Sequence, residues 1–129
     1  MTTLPEDAKA LLDQPVYATI ATIDPDGQPQ LSLVWIGRDG DDVLFSTIKG
    51  RRKTDNLQRD DRASLLVFPP ENPYQYLEIR GTVSLEDDPS SSYIDVMSRK
   101  YMGKDYPWGK PEEQRVVVRL TPAKVVWRA

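Results

Sequence analysis

Two runs rich in β-branched and aromatic residues, "VYATIATI" (16–23) and "QPQLSLVWIG" (28–37), flank "DPDG", where Pro25 and Gly27 suit a tight turn. The pattern predicts two strands joined as a hairpin. A second turn, "RDGDD" (38–42), leads to a third strand, "VLFSTI" (43–48). Beyond it, "ASLLVF" (63–68) reads as a buried strand and "YQYLEIRGTVSLE" (74–86) as a long one, with Gly81 marking a bulge or bend. The apolar runs and alternation of "RVVVRLTPAKVVWR" (115–128) supply the final strands.

Helical spacing appears between these sets. In "TLPEDAKALLDQP" (3–15), Thr3 stands three residues before Glu6 as a capping box, and Pro15 closes a short helix. Cap-type residues open "DPSSSYIDVMSRKYMG" (88–103), where Tyr93, Val96, Met97 and Tyr101 recur at spacings of three and four, predicting an amphipathic helix. The polar stretch "RRKTDNLQRDDR" (51–62), anchored by Leu57, suits one or two helical turns lying on a sheet. The expected fold is mainly β (α+β): an antiparallel barrel of about six strands with flanking helices, forming a single domain over residues 1–129.

Composition narrows the chemistry. With no cysteine and no histidine, the chain lacks thiolate nucleophiles, His-ligated zinc or haem, and a Ser-His-Asp triad, which points an enzymatic activity towards a cofactor that brings the reactive atom. A formal charge of −3 argues against general nucleic-acid binding. No apolar run approaches membrane-spanning length and the first residues include acids, so a cytoplasmic location is expected.

Against that net negative charge, Lys49, Arg51, Arg52 and Lys53 put four cations into five positions around Gly50. They stand at the expected start of a helix, where free N–H groups and the helix dipole favour an anion such as phosphate. Arg offers a planar fork and Lys a mobile point charge, and Asn56 lies four residues after Arg52 and three after Lys53, on one helical face. Two plainer accounts remain open: a solvated charge run paired with Asp55, Asp60 and Asp61, or a lysine-rich sheet edge that discourages edge pairing.

The ordered segments "ATIATIDPDGQPQLSLVW", "VLFSTIKGRRKTDNLQRDDRASLLV", "EIRGTV" and "RVVVRLTP" resemble the pyridoxamine 5'-phosphate oxidase-like split β-barrel superfamily, and in particular its actinobacterial branch that uses the deazaflavin coenzyme F420. The likeness covers about residues 10 to 127. It implies a homodimer with cofactors in grooves between the subunits. Pro29, Gln30, Leu31 and Ser32 would run along the deazaflavin ring, and Ser46 and Thr47 would lie near the ribityl chain. The phosphate would fall to Lys49, Arg51, Arg52, Lys53 and Asn56, and Tyr76, Leu77 and Trp108 would close the pocket across the dimer. Trp108 has the alternative of pinning its own proline-rich loop, and Trp35 is expected to pack in the core.

The implied activity is an F420H2-dependent reductase passing hydride to an unsaturated, conjugated small molecule. An FMN-binding oxidase or reductase of the same fold and a non-catalytic F420 carrier or sensor are the alternatives. No catalytic side chain is assigned; Tyr76, Tyr101 and Tyr106 are conceivable proton donors, with packing their more ordinary role. Arg99, Lys100, Lys104 and Lys110 would suit the anionic tail of F420, or are ordinary surface.

Overall fold

The computed structural model describes residues 2–129. These form α1 (Glu6–Leu12), β1 (Ala18–Ile23), β2 (Pro29–Val34), β3 (Gly37–Asp39), β4 (Asp42–Ile48), α2 (Arg52–Arg59), β5 (Arg62–Val67), β6 (Tyr76–Asp87), α3 (Ser92–Met102) and β7 (Arg115–Arg128). All seven strands join one antiparallel sheet in the order β2-β1-β5-β6-β7-β4-β3.

Strands β6 and β7 run for 12 and 14 residues because each serves both halves of the sheet. Residues 77–82 of β6 pair with β5 on one edge while β7 runs along its other edge from Tyr76 to Asp87, and β7 residues 115–120 carry β4 on their far side. A register shift between Arg80 and Gly81 interrupts the β6–β7 ladder, and a bulge there bends it so that the two halves wrap a common core. The approach is close: a Cβ on Gly81 would lie 2.0 Å from the Thr121 carbonyl oxygen. Pro122, opposite Gly81, has no N–H to give and is tolerated at this irregularity, so the final apolar stretch is one strand rather than several.

The sheet also contains a strand that the residue pattern hid. Gly37–Asp39 pairs with Asp42–Leu44 as β3, and the turn contracts to Gly40 and Asp41. Thr3 and Glu6 form no capping box; Pro5 is the N-cap, and the Asp41 carboxylate accepts instead from the Leu4 N–H at 2.9 Å. At α3 the cap comes from outside the helix, where buried Asp88 accepts from the N–H groups of Ser92 and Tyr93.

The core follows the period-two alternation of the strands. Ile20, Phe45, Leu65, Ile79, Val118 and Leu120 fill it, with Leu11 and Leu12 of α1 joining the same cluster. On the opposite face of β2, β1 and β5, Leu33 and Leu66 flank Thr19 in register, and Leu31 pairs with Ala21. Leu31 and Leu33 are 63% and 68% exposed, an apolar edge that no helix of the described residues covers.

Candidate functional site

A cleft of about 290 Å³ opens where the end of β2, strand β4, the start of β7, helix α3 and the N-terminus of α2 converge. Strand β4 delivers Ser46 and Thr47 to it. Gly50, with φ at +90°, turns the chain from strand to helix in the left-handed region that costs a glycine little. Thr54 fixes that turn by donating its hydroxyl to the Ile48 carbonyl at 2.8 Å. Arg51 then becomes the N-cap and Lys53 falls in the first turn, and both face the cleft. Directly across the ladder, Ile48 pairs with Arg115, the first residue of β7 and another cleft residue.

The remaining wall is aromatic and apolar: Tyr17, Leu33, Trp35, Met97, Tyr106 and Trp108. Trp35 stacks on Tyr101 with centroids 5.1 Å apart and meets Tyr106 edge-on at 6.2 Å, and Tyr106 in turn meets Trp108 edge-on at 5.6 Å. Trp35 thus faces the cleft with its back to α3, whereas core packing was the expectation from sequence. Tyr101 holds this wall from behind: its hydroxyl donates to the Val16 carbonyl and accepts from the Ile36 N–H at 3.0 Å. Lys100 adds two bonds from Nζ, to the Leu12 and Ile36 carbonyls at 2.6 and 2.7 Å, and burial lowers its pKa to about 8.

Electrostatically the cleft is one-sided. Arg51, Lys53 and Arg115 make no ion pair among the described residues. Burial pushes the Lys53 amine below its usual pKa, and neighbouring Arg51 adds to the shift. Two buried side-chain polar atoms lack hydrogen-bond partners among the described residues, Ser32 Oγ and Thr47 Oγ1, and Thr47 lines the cleft. Cations without carboxylate partners lining a cleft fit a ligand that brings an anionic group such as phosphate.

The other residues singled out in the sequence are placed differently. Arg52 turns away and grips Asp24 with two bonds of 2.8 and 2.7 Å, and Arg52 followed by Asn56 holds the Asp24 carboxyl below its ordinary pKa. Asn56, 2% exposed, donates to Thr22 Oγ1 at 3.0 Å and Asp24 Oδ1 at 2.9 Å. Both side chains therefore tie α2 to the β1–β2 turn. Lys49 pairs with Asp87 at 2.9 Å.

On β2, Gln30 accepts from the Thr22 hydroxyl at 2.8 Å, Pro29 and Leu31 are exposed, and the cleft begins only at Leu33. Leu77 is fully buried in its own core and Tyr76 pairs with Arg128 at the far end of the sheet. Of the cations considered for a cofactor tail, Arg99 is engaged by Asp105 at 2.6 Å and Lys100 by backbone, leaving Lys104 and Lys110 exposed.

The model of the pyridoxamine 5'-phosphate oxidase family matches residues 4–127. The chain belongs to that family. Among solved structures, this pyridoxamine 5'-phosphate oxidase family member is similar to an F420 reductase, at 31% identity and a TM-score of 0.87 over 95% of this chain and 98% of the other. A conserved hypothetical protein of Mycobacterium tuberculosis is 22% identical, with a TM-score of 0.80 over 99% of this chain and 86% of the other. An FMN-binding, pyridoxamine 5'-phosphate oxidase-related protein of Nostoc punctiforme is 19% identical, with a TM-score of 0.63 over 84% of this chain and 71% of the other. The family member thus has the split-barrel fold, and no helix among its described residues is long and apolar enough to cross a membrane.

Proposed function

We propose that this protein is an F420H2-dependent reductase acting on a conjugated, unsaturated small molecule. The observation that carries the reading is a cleft with three carboxylate-free cations, in a chain 31% identical to an F420 reductase over nearly its whole length. Bound reduced F420 would supply a hydride from carbon, so the acceptor needs placement rather than a protein nucleophile. Arg51, Lys53 and the first N–H groups of α2 would neutralise the cofactor phosphate, with Ser46 and Thr47 beside them. Trp35, Tyr106 and Trp108 would form the flat wall against which planar groups lie and from which water is excluded.

Lys49, Arg52 and Asn56 belong to this proposal as supports of the α2 turn, and Tyr76 and Leu77 only through a second subunit. A homodimer is part of the proposal, because exposed Leu31 and Leu33 sit on the β2 edge that leads into the cleft. Pro29, Gln30, Leu31 and Ser32 would then border a cofactor ring held near that edge. Of the tyrosines considered as proton donors, Tyr106 lines the cleft and Tyr101 has its hydroxyl bound to backbone. No side-chain acid is required where solvent protonates the product.

The test is oxidation of reduced F420 by the purified protein with a panel of conjugated enones and quinones. Protein-dependent oxidation with at least one acceptor is expected. F420 binding without turnover on any acceptor would favour a carrier or sensor, and tight FMN binding with no F420 binding would make the protein a flavoprotein.

A further inference from the structure

Arg115 is the least exposed cation of the cleft, at 6%. Its guanidinium has five N–H donors and a permanent charge. Among the described residues, the one side-chain acceptor it reaches is Ser46 Oγ, 3.3 Å from Nη1, and it lies over the Tyr106 ring, with the centroid 5.0 Å away. A neutral hydroxyl at the long end of hydrogen-bond range does not compensate a buried charge. Ser46, two residues before the Ile48 that pairs with Arg115, projects from the same face of the β4–β7 ladder as Arg115, and both line the cleft, whereas Thr47 shares the opposite face with Phe45 and Val116. Every other buried polar cluster around α2 is internally closed: Asn56, Thr22 and Asp24 bond to one another, and Thr54 to Ile48. An unmet buried charge therefore stands on the cleft face of the β4–β7 ladder.

We propose that Arg115, with Ser46, forms an oxyanion subsite that takes a phosphate or carboxylate group of a bound ligand, in addition to the cradle made by Arg51 and Lys53. The cation–π contact with Tyr106 restrains the guanidinium while leaving its N–H donors for the oxyanion, and a planar guanidinium suits a two-point contact. The subsite goes beyond the reductase reading, since the buried guanidinium asks for an anion whichever cofactor binds. Its anion has two sources: the phosphate or acidic tail of the cofactor, or a carboxylate on the substrate.

The experiment uses apo-protein and inorganic pyrophosphate, with sodium chloride at matched ionic strength as control, and reads thermal midpoint. Pyrophosphate at ten times its dissociation constant should raise the wild-type midpoint by about 3–6 °C. Arg115→Met should leave the apo midpoint unchanged or higher, because an uncompensated buried charge is replaced by an apolar stem. It should also weaken pyrophosphate at least about ten-fold, with partial recovery in Arg115→Lys.

Two further arms assign the source. A loss of F420 affinity in Arg115→Met that disappears with the phosphate-free deazaflavin chromophore places the anion on the cofactor. Unchanged cofactor affinity with a raised KM for carboxylate-bearing acceptors only places it on the substrate. A lowered apo midpoint with an unaltered pyrophosphate shift would overturn the subsite and make Arg115 a prop for the Tyr106 loop. That outcome would leave F420 binding through Arg51 and Lys53 intact, so failure here is distinguishable from failure of the reductase reading.

Discussion

Replacing Asn56 with alanine separates a binding role from a structural one. The side chain is 2% exposed, donates to Thr22 Oγ1 and Asp24 Oδ1 at 3.0 and 2.9 Å, and accepts from Arg59 at 3.1 Å. Each of the two buried donations contributes about 1 kcal/mol net, and the void left by the missing amide costs about 1 kcal/mol more. With the Arg59 bond added, the loss is roughly 2–4 kcal/mol. For a chain of this size that lowers the thermal midpoint by roughly 6–15 °C. Urea denaturation followed by tryptophan fluorescence reads the loss directly, as a lower midpoint at constant slope. Cofactor affinity measured at a temperature where the variant stays folded should fall only modestly, because the amide is spent within the chain. An unchanged urea midpoint with a ten-fold or greater loss of affinity would refute this and return Asn56 to the phosphate.

Three further outcomes are expected. Arg51→Ala and Lys53→Ala should each weaken cofactor binding by about 1.5–3 kcal/mol with little effect on stability, measured by calorimetry and urea denaturation; unchanged affinity in both would return the cluster to solvated surface. Gly81→Ala should destabilise by about 3 kcal/mol in urea, because its Cβ meets a backbone oxygen that cannot step aside, and a neutral result would show that the ladder yields there. Lys100 has a folded pKa of about 8, below its unfolded value, so its buried charge costs stability below pH 8 and that cost fades as pH rises towards 10. The midpoint of the wild type relative to Lys100→Met should therefore climb from pH 7 to pH 10, and a flat or falling difference would contradict the burial of that amine.

Where the chain announced itself, the signal was local. Pro25 and Gly27 between two β-branched runs describe a hairpin that needs no distant partner, and the four-residue spacing of Tyr93, Met97 and Tyr101 describes a helix face. Pro122 misled because its missing N–H matters only if the neighbouring strand demands it, and the bulge at Gly81 removes that demand. The three-residue β3 is too short for alternation to register, and its turn residues overlap its strand residues. At the site, the face shared by Arg52 and Asn56 was legible, but what it meets was not: Asp24 lies 28 and 32 residues upstream and no spacing rule connects them. Arg115 carried no signal at all, being one arginine before a run of valines, until the sheet placed it across from Ile48. Tyr17, Leu33, Ile94 and Met97 reach the cleft in the same way, through tertiary packing.

The central claim is that the cleft holds the phosphate of a deazaflavin, and parallel titration of F420 and FMN into apo-protein, read by intrinsic tryptophan fluorescence and confirmed by calorimetry, tests it most directly. Trp35 and Trp108 line the cleft and serve as reporters. The account predicts saturable F420 binding with FMN at least about ten-fold weaker, a gap of about 1.4 kcal/mol. Absence of F420 binding up to about 50 µM, an affinity poorer than about −6 kcal/mol, would contradict it.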